Sequence, residues 1–267
     1  METFFEMQKN IETVKSDEKL QVINGSEITR EMAPGHINAV FIKDANALLH
    51  SDSLTGIQAA NKQGAFVFWN HPNWDAHRKD GIARLDPFHK YLIKNKLLHG
   101  LEVVNETTYS DEALQIALEN NLTILGTSDI HGLTDWAHEI SEGGHRPMTF
   151  VRVKDKTPEA LKKALFEGKT VVWYNELLIG KKEHLQQLIR ENLSFGPIVY
   201  PEDKTIARIE VINQLEETIM TTAQYTQRLT YLNPTTIEAI LDQLAIGCGE
   251  LHSSGHTLFF AEHTTQH

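Results

Sequence analysis

One cysteine is all the chain contains, and that scarcity excludes two classes of protein at once. Cys248 by itself forms neither a disulfide framework nor a thiolate zinc cluster, so any metal here must sit on His, Asp or Glu. Positive charge is scarce as well: 25 Lys and Arg face 36 Asp and Glu, a formal net charge of −11. Binding a nucleic-acid duplex through its phosphates needs a basic surface, and this balance runs the other way. Long apolar runs are missing. No stretch approaches the roughly 20 residues that span a bilayer, and Met1-Glu2-Thr3-Phe4-Phe5-Glu6 lacks the basic-then-apolar order of a secretory signal. As the chain stands it is expected in the cytoplasm and off the membrane; a signal segment lying upstream would instead mean export. A P-loop, a dinucleotide fingerprint and a serine nucleophile elbow are also absent.

What is present is an ordinary globular composition. With 267 residues, 40% of them hydrophobic, the chain can bury a full core, in one large domain or one large and one small. From about residue 20 to 175, strand-like and helix-like segments alternate. Gln21-Val22-Ile23-Asn24 leads into Glu27, and Ile37 to Ile42 follows His36. A helix from Ser53 to Gln63 ends at Gly64, whose missing Cβ suits a left-handed cap. Strands are expected at Ala65 to Trp69, Gly100 to Asn105, Leu122 onward to Asp129 and His131, and Thr170 to Tyr174, with a helix near Pro87 to Lys96. Ser110 is a candidate N-cap, with Asp111 and Glu112 in the first turn and Leu114, Ala117 and Leu118 on one face. Thr157-Pro158-Glu159 opens a further helix, with Leu161, Ala164 and Leu165 inward and Gly168 at its end. Repeated β-then-α units favour a parallel sheet with helices outside, either a barrel or a doubly wound sheet, and ligand-type residues at strand ends favour the barrel.

Beyond Ile179 the texture changes. A polar helix around Lys182 to Asn192 leads to Phe195-Gly196-Pro197, read as a linker. Alternating stretches at Ala207 to Ile212, Gln224 to Leu232 and Thr257 to Phe260 suggest antiparallel strands with one wet face, while Thr235 to Leu244 has an ambiguous period. The expected organisation is a first domain over residues 1–195 and a small β-sandwich-like appendage over 200–267.

The chemistry gathers at strand ends. Glu27, His36, His71, Asp129 and His131 are all ligand-type side chains at or beside the ends of apolar segments. Taken singly, each also reads as a turn, a cap or a surface group: Asn70-His71-Pro72 makes a good turn, and Glu27 a good exposed charge. Jointly they describe a polynuclear site for zinc, manganese or iron, because imidazoles and carboxylates suit these ions and a carboxylate can bridge two of them. Such a centre acidifies a water and clamps phosphate oxygens, so phosphoester hydrolysis is the natural chemistry. Arg30 and Asn70, beside these residues, are candidates for phosphate contact or ligand support. His77, His89, His99, His138 and His145 read as loop or surface groups, Trp69 as core, and Trp74 as a residue near the mouth.

The ordered segments Gly25-Ser26-Glu27-Ile28-Thr29-Arg30, Pro34-Gly35-His36-Ile37-Asn38-Ala39, Phe68-Trp69-Asn70-His71-Pro72, Gly100-Leu101-Glu102-Val103-Val104-Asn105 and Gly126-Thr127-Ser128-Asp129-Ile130-His131 resemble successive motifs of the polymerase and histidinol phosphatase (PHP) family. Within it the likeness is to the bacterial Sb-PDE group of phosphodiesterases, and it covers most of residues 20 to 180. The resemblance implies an α/β fold, a distorted seven-stranded βα barrel with up to three metals at its strand ends, followed by a small β-rich C-terminal domain. It implies that Glu27 bridges the first and second metals, that His36 and His71 complete the second, and that Asp129 serves the first and His131 the third.

Family members open with a strand bearing His-x-His, and no histidine precedes His36 here. By that comparison the barrel is expected to lack its first strands, leaving an open edge that a second copy of the chain could cover. The expected activity is metal-dependent hydrolysis of a small phosphomono- or phosphodiester, with Arg30 neutralising charge. The alternative is a catalytically impaired PHP-fold remnant that binds a metal or a partner.

Overall fold

The computed structural model describes residues 21–175, 177–195 and 211–213. The chain divides into two compact units, Met1–Asn175 and Glu176–His267. The boundary expected near 195–200 falls within the second unit. The β-rich appendage, apart from Val211–Asn213, lies outside the described residues, as do Gly196-Pro197 and Cys248. No helix among the described residues is long and apolar enough to cross a membrane.

The first unit is built on a mixed six-stranded sheet: β1 (Gly25–Ile28), β2 (Ile37–Val40), β3 (Phe66–Trp69), β4 (Gly100–Asn105), β5 (Thr108–Tyr109) and β6 (Thr123–Thr127). Strands β3, β4 and β6 are mutually parallel, β4 lying between the other two, with α2 (Pro87–Lys94) and α3 (Asp111–Glu119) in the two connections. That part matches the expected crossover pattern. The all-parallel expectation fails at β1 and β2, because β2 runs antiparallel to both of its neighbours. Residues 29–36 between β1 and β2 carry no helix, so the chain doubles straight back. Between β2 and β3 a helix does intervene, α1 (Ser53–Lys62). Val40 nevertheless pairs with Phe66, so residues 41–65 leave and rejoin the sheet at one end. Periodicity reports strand and helix but not the direction of return. Among the described residues the backbone pairing does not close into a ring.

The helices begin and end where their capping chemistry dictates. Asp52 accepts from Thr55 N at the start of α1, and Gly64 follows its end at φ +74°. Ser110 accepts from Ala113 N and caps α3, which buries Ala113, Leu114 and Ala117. Leu118, expected on the same face, is exposed instead. It lies four positions beyond Leu114, at the edge of an apolar stripe that Ala113 and Ala117 already complete. Thr157 caps α5 (Pro158–Phe166), with Pro at its first position and Ala164 and Leu165 buried. A short helix α4 (Thr134–His138) precedes it.

Central strands are buried on both faces: every residue of β3 and β4 is buried, and Trp69, Phe66 and Leu101 are wholly so. Against β6 lies an antiparallel pair, β7 (Met148–Val151) and β8 (Thr170–Tyr174). It is fastened by hydroxyls: Thr149 Oγ1 donates to Gly126 O and accepts from Gly126 N, and Thr170 Oγ1 donates to Ile124 O. The approach is so close at Gly126 that a Cβ there would meet Val172 Cγ1 at 2.3 Å. In the second unit, β9 (Leu177–Gly180) precedes α6 (Lys182–Asn192), whose Leu185 and Ile189 are buried one turn apart. β10 (Leu193–Phe195) then pairs antiparallel with β11 (Val211–Asn213).

Candidate metal centre

The antiparallel register of β1, β2 and β3 brings three donor side chains to one edge. Ile28 pairs with Ile37 and Ile37 with Trp69, so the end of β1, the start of β2 and the end of β3 coincide. Glu27 sits one residue inside that edge, His36 one residue outside it, and His71 two residues past Trp69. Their donor atoms lie within 4.8 Å of one another. Glu27 Oε1 stands 3.2 Å from His36 Nδ1, and the His36 and His71 ring centroids are 4.8 Å apart. The carboxylate is held from behind: Thr29 Oγ1 donates to Oε1 at 2.6 Å and Asn70 Nδ2 to Oε2 at 3.0 Å. Asn70 therefore supports a donor rather than merely shaping a turn.

His71 is the most buried of the three, and its Nδ1 is buried with no hydrogen-bond partner. Burial, and then the neighbouring His36, hold its pKa below the ordinary histidine value. An imidazole kept neutral beside a carboxylate and a second imidazole, one of its nitrogens without a partner, is a donor set that a divalent cation satisfies. The residues therefore fit such an ion. Around them stand Trp74 and His77, with ring centroids 5.4 and 5.0 Å from that of His36. By sequence alone His77 is one of several loop histidines. Two successive turns, His71 O to Trp74 N and Trp74 O to His77 N, carry it back. Trp69 is core, as expected, and stacks on His89 at 3.9 Å.

A second donor group forms from the β4 and β6 ends. Glu106, Asp129 and His131 also bring donor atoms within 4.8 Å of one another. His131 Nδ1 is 3.8 Å from Glu106 Oε1 and 3.9 Å from Asp129 Oδ1, and lies 2.6 Å from the Asp129 carbonyl oxygen. Glu106 was missed in the sequence. The signal was its place immediately after a buried strand, where His71 and Asp129 also follow theirs. The resemblance assigns Asp129 and His131 to different metals; the structure groups them with Glu106.

Below both groups lies Glu102, also missed, a carboxylate inside an otherwise apolar strand. It is 1% exposed, and burial pushes its pKa up to about 7 against the hydrogen bonds from Thr127, His71 and Asn105. The guanidinium of Arg30, the residue expected to neutralise charge, donates to the carbonyl oxygens of Thr29, at 2.6 Å, and of His50. His145 stacks on Trp173 at 3.7 Å.

No protein-family model matches the chain, and no curated protein does. Among solved structures, it is similar to a two-domain protein from Bacteroides vulgatus containing a predicted PHP-like metal-dependent phosphoesterase, at 36% identity and a TM-score of 0.71. The match covers 79% of this chain and 59% of that protein, so the chain spans well under two thirds of its relative. At that identity the likeness extends to the α/β fold of most of this chain, and the two groups of His, Asp and Glu are ones that could each hold a metal ion.

Proposed function

We propose that the first unit hydrolyses a small phosphate ester with divalent cations held by Glu27, His36 and His71 and by Glu106, Asp129 and His131. The carrying observation is that Glu27, His36 and His71 bring donor atoms within 4.8 Å of one another. Zinc, manganese or iron suits this set of carboxylates and imidazoles. A cation held there supplies Lewis acidity to a phosphoryl oxygen and lowers the pKa of a water.

The protein's own groups have separate tasks. Thr29 and Asn70 fix both Glu27 oxygens, so the carboxylate cannot swing away. Trp74, 43% exposed at the rim, offers an apolar face to the leaving group. The substrate is a small phosphomono- or phosphodiester, and the resemblance to the Sb-PDE group of phosphodiesterases supports the diester.

The test is elemental analysis of purified protein, paired with hydrolysis of a p-nitrophenyl phosphodiester in added zinc or manganese. Bound metal and metal-dependent turnover are expected, with Glu27→Gln and His71→Ala each lowering turnover at least about tenfold. Unchanged turnover in both variants would overturn the reading.

A further inference from the structure

Glu102 is the one carboxylate buried among the described residues, yet it belongs to neither donor group. It reaches both. Its Oε2 accepts from the main-chain N–H of His71 at 2.8 Å and from Asn105 Nδ2 at 3.0 Å, while Oε1 accepts from the Thr127 hydroxyl at 2.7 Å. Asn105 Nδ2 turns also to Asp129 Oδ2, at 3.3 Å. A buried path therefore runs from the backbone of His71 through Glu102 and Asn105 to the carboxylate of Asp129. His71 and Asp129 both hold left-handed backbone, at φ 26° and 42°, which a residue with a side chain adopts only where its surroundings hold it there. One carboxylate steadies the first directly. An amide carries the same hold to the second.

We infer that Glu102, with Asn105 as its relay, is a positioning residue that couples the two donor groups: a divalent cation at Glu27, His36 and His71 changes the cation affinity at Glu106, Asp129 and His131. This rests on the reading that both groups take cations. A cation that fixes His71 fixes the amide hydrogen bond to Glu102, and a hydrogen-bonded network in the interior transmits such a shift better than exposed side chains do. Direct repulsion between two cations exists with or without the relay. The relay's share is what its removal changes.

The experiment follows Co²⁺ binding to the chelator-stripped chain by visible absorption. The affinity of the second group is measured in the chain and in its His36→Ala variant, which disables the first group, and the ratio is taken. That ratio is then measured again in Asn105→Leu, Glu102→Leu and Glu102→Gln backgrounds. Gln can present its carbonyl to His71 and Asn105 and its amide to the Thr127 oxygen, so it keeps the path. The two Leu variants are expected to shift the ratio by about fivefold or more, and the Gln variant to leave it as in the unaltered chain. An unchanged ratio in Leu variants that circular dichroism shows to be folded overturns the inference. Should Glu102→Leu not fold, Asn105→Leu decides alone. Co²⁺ binding at the first group only also overturns the inference while the metal reading stands there. No Co²⁺ binding at either group is instead the failure of the metal reading itself.

Discussion

The two donor groups differ in how their residues are held. Glu27, His36 and His71 sit at strand ends whose antiparallel register sets their spacing, and both oxygens of Glu27 are tethered. Glu106, Asp129 and His131 sit on the turns beyond β4 and β6. The His131 side chain is 78% exposed and that of Glu106 54%. A group set by strand register is rigid before any ligand arrives, so little ordering entropy opposes binding. A group on exposed turns must be ordered by what it binds. The first is therefore expected to bind cations tightly and the second more weakly.

The contrast breaks most readily at the ligands. His36→Ala is expected to lower metal-dependent phosphodiester turnover by about 100-fold, and His131→Ala by about tenfold, a range typical of perturbed metal sites. Equal losses, read as kcat/KM at saturating metal, would mean that rigidity does not distinguish the groups. A smaller effect follows from Gly126→Ala, which sets a Cβ 2.3 Å from Val172 Cγ1 in the strand leading to Asp129. Valine is stiff at χ1, so β8 must move, and a loss of about 1–3 kcal/mol is expected in urea melts. Metal affinity should fall at the second group and hold at the first.

Asn70→Ala frees one oxygen of Glu27 and should weaken Co²⁺ binding at the first group by about tenfold, read by absorption titration. The smallest effect concerns acid. Beneath the first group His89 is wholly buried, with Nδ1 accepting from Asp86 N and Nε2 facing Pro34 O, and burial lowers its pKa. A folded-state pKa below the ordinary value of about 6.5 means that the unfolded chain takes up the proton first, so stability falls as pH drops below about 6.5 toward the folded value. His89→Gln, which can still cap Asp86 N, should flatten that slope in thermal melts between about pH 5 and 7. An unchanged slope would place the acid sensitivity elsewhere, with His99, also lowered by burial, the next residue to test.

Local chemistry made the helix ends legible. Ser110, Thr157-Pro158 and Gly64 act through their own backbone, and the structure shows them doing so. The residue types and places of Glu27, His36 and His71 were legible too, because a polar ligand-type side chain closing an apolar run stands out. Leu118 was misread because a stripe of apolar residues does not show its own edge.

By itself the sequence determined most of the strands and helices of the first unit, though not β5, β7 or α4, and it set the first strand at Gln21–Asn24 rather than Gly25–Ile28; it also determined that any metal must rest on His, Asp and Glu, and that several candidates stand at strand ends. These follow from interactions within a few residues along the chain. Tertiary structure alone decided the antiparallel return of β2, the gathering of Glu106 with Asp129 and His131, the hydrogen bond of Arg30 to the carbonyl of His50, and the link that Glu102 makes between the groups. Each depends on partners far apart in sequence, and a hydrogen bond or a donor cluster is a property of distance in space.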